Sequence, residues 1–147
     1  MRNKDFFSAK GKLSIVVNDT AGNLKQELNV TNLVVDTGLD YIASRMKDAT
    51  ATAMSHMAIG SGTNDPAAGD TTLQSELGRV ALFSTTVTSN SVEYQATFPA
   101  GTGTGAVTEA GILNASSGGT MLCRTEFAVI NKAAGDSMTI TWTVTVE

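Results

Sequence analysis

The sequence predicts an all-β protein: a β-sandwich or jelly roll of about eight strands with one short helix. Three observations carry that prediction. Between Ser137 and Glu147, Met138, Ile140, Trp142, Val144 and Val146 fall on one face and Thr139, Thr141, Thr143 and Thr145 on the other. This is the period of two of a strand with one buried face. Elsewhere, short apolar runs are separated by Gly, Asn, Asp and Ser, with only two prolines, Pro66 and Pro99. Finally, the strand-like runs do not alternate with helical runs, which disfavours a parallel α/β sheet.

In chain order, Lys12–Asn18 reads as the first strand and Leu24–Val35 as its hairpin partner. They flank Asp19–Asn23, whose residues tolerate left-handed backbone angles. Leu39, Ile42, Ala43 and Met46 then recur at helical spacing, predicting a helix over Asp36–Lys47. Asp36 or Thr37 is expected to cap it, with Arg45 and Lys47 complementing the dipole of its last turn. Met54–Gly60 reads as a strand, Ser61–Asp70 as a loop and Thr71–Leu77 as a single helical turn. Gly78–Thr88 and Ser91–Pro99 read as strands around a turn at Ser89–Asn90. Val107–Asn114 and Thr120–Val129 read as strands joined through Ala115–Gly119. Ser137–Val146 closes the series.

The 147 residues suit one domain, and 41% of them are hydrophobic. No apolar run approaches the ~20 residues a membrane helix needs. The start has no apolar signal-peptide core, so synthesis and use in a cytoplasm are expected. The net charge of −4 is uneven. Residues 1–12 carry Arg2, Lys4, Lys10 and Lys12 against Asp5, a net of +3, which leaves −7 on the rest. The division expected is a basic N-terminal arm over 1–12 and a β domain over 13–147. An acidic body disfavours nucleic-acid binding. Within the arm, Arg2, Lys4, Phe6, Phe7 and Lys10 are the candidate partner-binding residues. Their charges would steer docking and the two rings would anchor it. The alternative is that both rings fold back onto the chain's own sheet.

Candidate chemical sites are weak. Gly101-Thr-Gly-Thr-Gly105 lacks the Lys-Ser/Thr that a phosphate loop needs, and reads as a turn. Asn64, Asp65 and Asp70 are hard oxygen donors without EF-hand spacing, and read as surface loop. His56 is the sole histidine, which alternation could place with Met54 and Ala58; one imidazole cannot build a zinc site. Cys123, the sole cysteine, reads as a small buried hydrophobe. Glu76 and Glu109 could each pair with Arg79 or Arg124. No spacing makes two carboxylates an acid–base pair. No catalytic residue, metal or cofactor is expected, and Trp142 is expected in the core.

Several segments taken in order resemble a family. They are Asp36-Thr-Gly-Leu-Asp-Tyr-Ile-Ala-Ser-Arg-Met46, Met57-Ala-Ile-Gly-Ser-Gly-Thr63, Leu77-Gly-Arg-Val80, Ala96-Thr-Phe98, Val107-Thr-Glu-Ala-Gly-Ile112 and Gly135-Asp-Ser-Met-Thr-Ile-Thr-Trp142. This order is similar to that of small virion structural proteins of tailed bacteriophages: capsid cement or decoration proteins, or tail-fibre and collar components. The resemblance covers roughly residues 30–146. It implies a β-sandwich module working in many copies in the virion, made in the bacterial host cytoplasm. Its partners would be the major capsid protein and copies of itself, with tail proteins as the alternative. It carries over no catalytic residue. A carbohydrate-binding module is a further reading, weakened by one Trp, two Tyr and five Phe.

Overall fold

The computed structural model describes residues 8–47 and 51–147. Nine strands and one helix follow in the order β1 (Ala9–Asn18), β2 (Leu24–Val34), α1 (Asp36–Ser44), β3 (His56–Gly60), β4 (Glu76–Ala81), β5 (Ser84–Thr88), β6 (Ser91–Phe98), β7 (Gly105–Leu113), β8 (Met121–Lys132) and β9 (Ser137–Val146). The all-β class is as the sequence predicts. The strands form one sheet ordered β4-β3-β7-β8-β2-β1-β9-β6-β5, and every pair is antiparallel. Here the sequence reading needs refinement, because one continuous curled sheet stands where two separate ones were expected.

The curl has a local cause. β2 and β8 pair only through Leu33↔Arg124 and Val34↔Cys123, a narrow seam about which the sheet turns. Residues of both halves then meet in one apolar cluster: Leu13, Ile15 and Val17 of β1 and Ile140 and Trp142 of β9 pack with Ile59, Ile112 and Ile130. The two outermost strands are consecutive in the chain. Only Leu82 and Phe83 separate β4 from β5, and this link bonds to both halves: the Leu82 N–H donates to Ser55 O (2.9 Å) and the Phe83 N–H to Gln95 O (2.9 Å). The single strand expected over Gly78–Thr88 is therefore two, which accounts for the ninth.

Trp142 is fully buried, as expected. Its Nε1–H donates to Asn32 Oδ1 at 3.1 Å, so the one polar atom of the ring has a partner. Opposite, Gly11 leaves room for that Asn32 side chain, since a Cβ there would lie 1.9 Å from Asn32 Oδ1. Cys123 is buried, and burial pushes its thiol pKa up. Smaller corrections concern α1 and the segment beyond it. Neither Asp36 nor Thr37 caps α1 with its side chain; the N-cap position is Val35. The Thr37 hydroxyl donates instead to Met121 O (2.9 Å). Gly38 lies against β8, where a Cβ would meet Leu122 O at 2.0 Å. The helix ends at Ser44, so the expected extension to Lys47 is a turn. Thr71–Leu77 forms no helical turn, because a carboxylate takes the backbone N–H groups of Gln74 and Ser75. Among the described residues no helix is long and apolar enough to cross a membrane.

Candidate functional site

The densest polar arrangement lies on β7 and β8. Glu109 on β7 is fully buried and Arg124 on β8 nearly so. A buried charge is costly unless it is paired and hydrogen-bonded. Glu109 Oε1 accepts from the backbone N–H groups of Gly62 (2.9 Å) and Ser75 (2.7 Å). Its Oε2 accepts from the Gln74 N–H (3.0 Å), Arg124 Nε (3.0 Å) and Arg124 Nη2 (2.9 Å). The guanidinium continues outward, donating from Nη1 to Asp70 Oδ2 (3.0 Å) and from Nη2 to Asn64 O (3.1 Å). Gln74 Oε1 accepts from the N–H groups of Thr63 and Asn64, and the Thr108 hydroxyl donates to Gly62 O.

This geometry defines what the site can do. Five donors meet the roughly four lone-pair directions of one carboxylate, so Glu109 has no free oxygen with which to accept a substrate's proton. Burial pushes its pKa up. The amides of Gln74 and Ser75, the Arg124 guanidinium and the Gly62 amide outweigh that and hold it below its ordinary value. The network ties the long loop after β3 to the back of the sheet. Gly60 and Gly62 make the approach possible: a Cβ at either would come within 2.6 or 2.5 Å of Glu109 Oε1.

Two further posts hold loops the same way. Arg79 pairs with Glu76 (2.7 Å) and donates through Nη1 to Ala115 O and Gly118 O, both at 2.9 Å. Buried Lys132 donates to Pro99 O (3.0 Å) and Asp136 O (2.7 Å), while Asp136 Oδ2 accepts from Lys25 Nζ (2.5 Å) and the Ala133 N–H (2.8 Å). The hydrogen bonds from Lys25 and the Ala133 amide lower the Asp136 pKa against a smaller opposing effect of burial. Burial lowers the pKa of Lys132.

The structure thus assigns the pairs that the sequence left open: Glu76 with Arg79 and Glu109 with Arg124. Asn64 and Asp70 are joined through Arg124. Among the described residues no three His, Cys, Asp or Glu side chains come together. His56 bonds Ser55 through Nδ1 (2.8 Å). Met54, expected on its face, joins the main core with Met57 and Ile59, while Ala58 belongs to a second cluster. The glycine-rich segment is a turn with Gly101, Gly103 and Gly105 at positive φ, and Gly103 packs under Ile59. The Lys25–Asp136–Lys132 post escaped sequence reasoning, because its members lie on β2, on β8 and in the turn before β9.

Of the candidate arm residues, Arg2, Lys4, Phe6 and Phe7 lie outside the described residues. Lys10 is exposed on β1 and forms an ion pair with Glu147. Ala9–Lys12, assigned to the arm from sequence, pair with Thr143–Val146 and extend β1. Alternation explains the difference: Gly11 continues the inward face of Leu13 and Ile15, while Lys10 and Lys12 point outward. The chain matches no protein-family model, no curated protein and no solved structure.

Proposed function

We propose that this chain is a non-enzymatic virion structural protein of a tailed bacteriophage, a capsid cement or decoration protein that binds the major capsid shell in many copies. One observation supports the reading beside the resemblance itself: several of the segments that resemble those virion proteins supply residues that hold the loops, together with Arg124 and Gln74 from outside them. Met57–Thr63 supplies Gly60 and Gly62, Leu77–Val80 supplies Arg79, and Val107–Ile112 supplies Glu109. Their charged and glycine residues fix the shape of these loops, as a part needs when it must fit a lattice. Trp142 sits wholly inside the core, which weakens the carbohydrate-binding reading because its ring cannot stack on a sugar. In this proposal attachment uses the rigid loops, with Arg2 and Lys4 steering the basic start to an acidic shell surface.

Cryo-electron microscopy of the virion tests it. Density for this chain over the shell, at a copy number on the order of hundreds, is expected. Tens of copies or fewer, at the neck or tail, would transfer the protein to the collar or fibre class. Charge reversal at Arg2 and Lys4 to Glu should lower incorporation into particles and leave the β-type circular dichroism unchanged. A glycan array or hydrolase panel that gave a specific signal would overturn the non-enzymatic, non-lectin assignment.

A further inference from the structure

The loop Ser61–Ser75, between β3 and β4, is fastened to the sheet mainly through one carboxylate. Glu109 takes the N–H of Gly62 near the start of the loop and those of Gln74 and Ser75 at its end. The same carboxylate orients Arg124, which holds the middle of the loop at Asn64 O and Asp70 Oδ2. Two other hydrogen bonds reach the loop from the rest of the described chain, Thr108 Oγ1 to Gly62 O (2.7 Å) and the Asp36 N–H to Ala68 O (2.8 Å). Leu73 is its buried apolar anchor, in the cluster with Val35, Ala58, Leu113 and Met121. Every hydrogen-bonding partner of the two Glu109 oxygens is a donor. A proton on Oε1 would face the amides of Gly62 and Ser75. On Oε2 it would face the Gln74 amide and the guanidinium. A neutral carboxyl therefore cannot keep these bonds: its own O–H meets donors, and buried Arg124 is left with Asp70 as its one charged partner.

We propose that Glu109 is an acid-released latch: protonating this one carboxyl frees the Ser61–Ser75 loop from the sheet while the strands stay paired. The ladders that hold the sheet do not pass through the loop. β3 keeps its backbone pairing with β4 and β7, and β7 with β8. The charged groups around the latch are Arg124 from β8, Asp70 from the loop, and Glu126, which stands opposite Glu109 in the β7–β8 ladder. From β4, Glu76 turns to Arg79, and β3 places Gly60 opposite Glu109. Burial raises the Glu109 pKa, but the Gln74 and Ser75 amides, Arg124 and the Gly62 amide more than offset it, so the folded value lies below the ordinary 4.5. With a depressed folded pKa, the closed loop is fully stabilised above about pH 4.5 and is released as pH falls through the folded value. The sheet's other half carries its own reporter, Trp142, fully buried on β9 between β1 and β6.

The test uses the free full-length chain, so its outcome is independent of the virion assignment. Amide exchange is followed by NMR and corrected for the pH dependence of intrinsic exchange. Protection of the Gly62, Gln74 and Ser75 amides should fall about tenfold per pH unit as the pH drops below about 4.5, the slope of one proton. Over that range Trp142 emission and the protection of the β9 amides should hold, reporting an intact sheet. The NMR titration of the Glu109 carboxyl carbon should share the midpoint of the loop amides. In Glu109→Gln the same three amides should be weakly protected at neutral pH and insensitive to acid, whereas Asp70→Asn and Glu126→Gln should keep the acid response. If Glu109→Gln does not fold, the carboxyl and amide midpoints of the unsubstituted chain decide. Loop protection lost only together with β9, a response that survives in Glu109→Gln or vanishes in Asp70→Asn, or a carboxyl midpoint apart from that of the loop would each overturn the proposal.

Discussion

The two halves of the sheet solve burial differently. On β9 and β6, inward residues are apolar while the outward ones carry hydroxyls, amides and a carboxylate. Among the described residues no further element covers the outward face of that half, which is knitted by cross-strand pairs such as Thr97–Thr139 (3.0 Å) and Ser91–Thr145 (2.8 Å). On β3, β7 and β8 nearly every residue of the central stretch is buried. α1 and the loop after β3 cover their second face, over a small cluster of Val35, Ala58, Leu73, Leu113 and Met121. A one-sided strand needs only alternation. A two-sided strand beneath an irregular loop must also satisfy that loop's backbone groups, and Glu109 and Arg124 do so from within the sheet.

The largest effects should come from leaving buried groups without partners. Arg124→Ala removes two of the five donors to a fully buried carboxylate, and should cost about 3–5 kcal/mol in urea denaturation. Arg124→Met combined with Glu109→Gln should recover part of that loss; a double variant as unstable as Arg124→Ala would show that the charges themselves are not the cause. Trp142→Ala in the other half should also cost ~3–5 kcal/mol, by opening a cavity. A loss below ~1 kcal/mol would mean that the one-sided half does not depend on its core aromatic.

The halves should differ in acid. The folded pKa of Glu109 is below its ordinary value of 4.5. Its stabilising contribution is therefore fully present above about pH 4.5 and is lost as pH falls from there through the folded value. The urea midpoint should drop over that range, and Glu109→Gln should flatten the drop. An unchanged slope in Glu109→Gln would assign acid sensitivity to other carboxylates, Asp136 first.

Intermediate in size is Gly38→Ala, whose new Cβ would press on Leu122 O. It should cost about 1–3 kcal/mol, as overpacking does, although Ala is the better helix former. The smallest effect expected is Thr139→Ala on the open face. A change within about 0.5–1 kcal/mol would fit a partly exposed cross-strand pair, and a larger one would mean that this face is covered in solution.

This asymmetry explains what could be read from the residues. β9 and β6 were legible because one-sided burial writes itself as a period of two. β7 and β8 were found as apolar runs, but the charges inside them were not interpretable alone. Glu109 takes its amide donors from Gly62, Gln74 and Ser75, far upstream, and only the antiparallel register sets it near Arg124. Thr71–Leu77 reads from sequence as one helical turn, whereas in the fold the Gln74 and Ser75 N–H groups go to the Glu109 carboxylate. Gly60 and Gly62 were visible as a motif, but their reason, room for a carboxylate, exists only once the chain has folded.

The pairing of β1 with β9 also sets the order in which the molecule can form. Ala9 lies opposite Val146, so one of the earliest strands made must wait for the last. During synthesis the β1–β2 hairpin can close on its own, but its free edge stays open until β9 has emerged. Contacts so distant in sequence close slowly. Folding of the one-sided half is therefore tied to the arrival of β9, and a ribosome stalled before residue 137 would hold a chain whose β1 edge is exposed to its neighbours on the polysome.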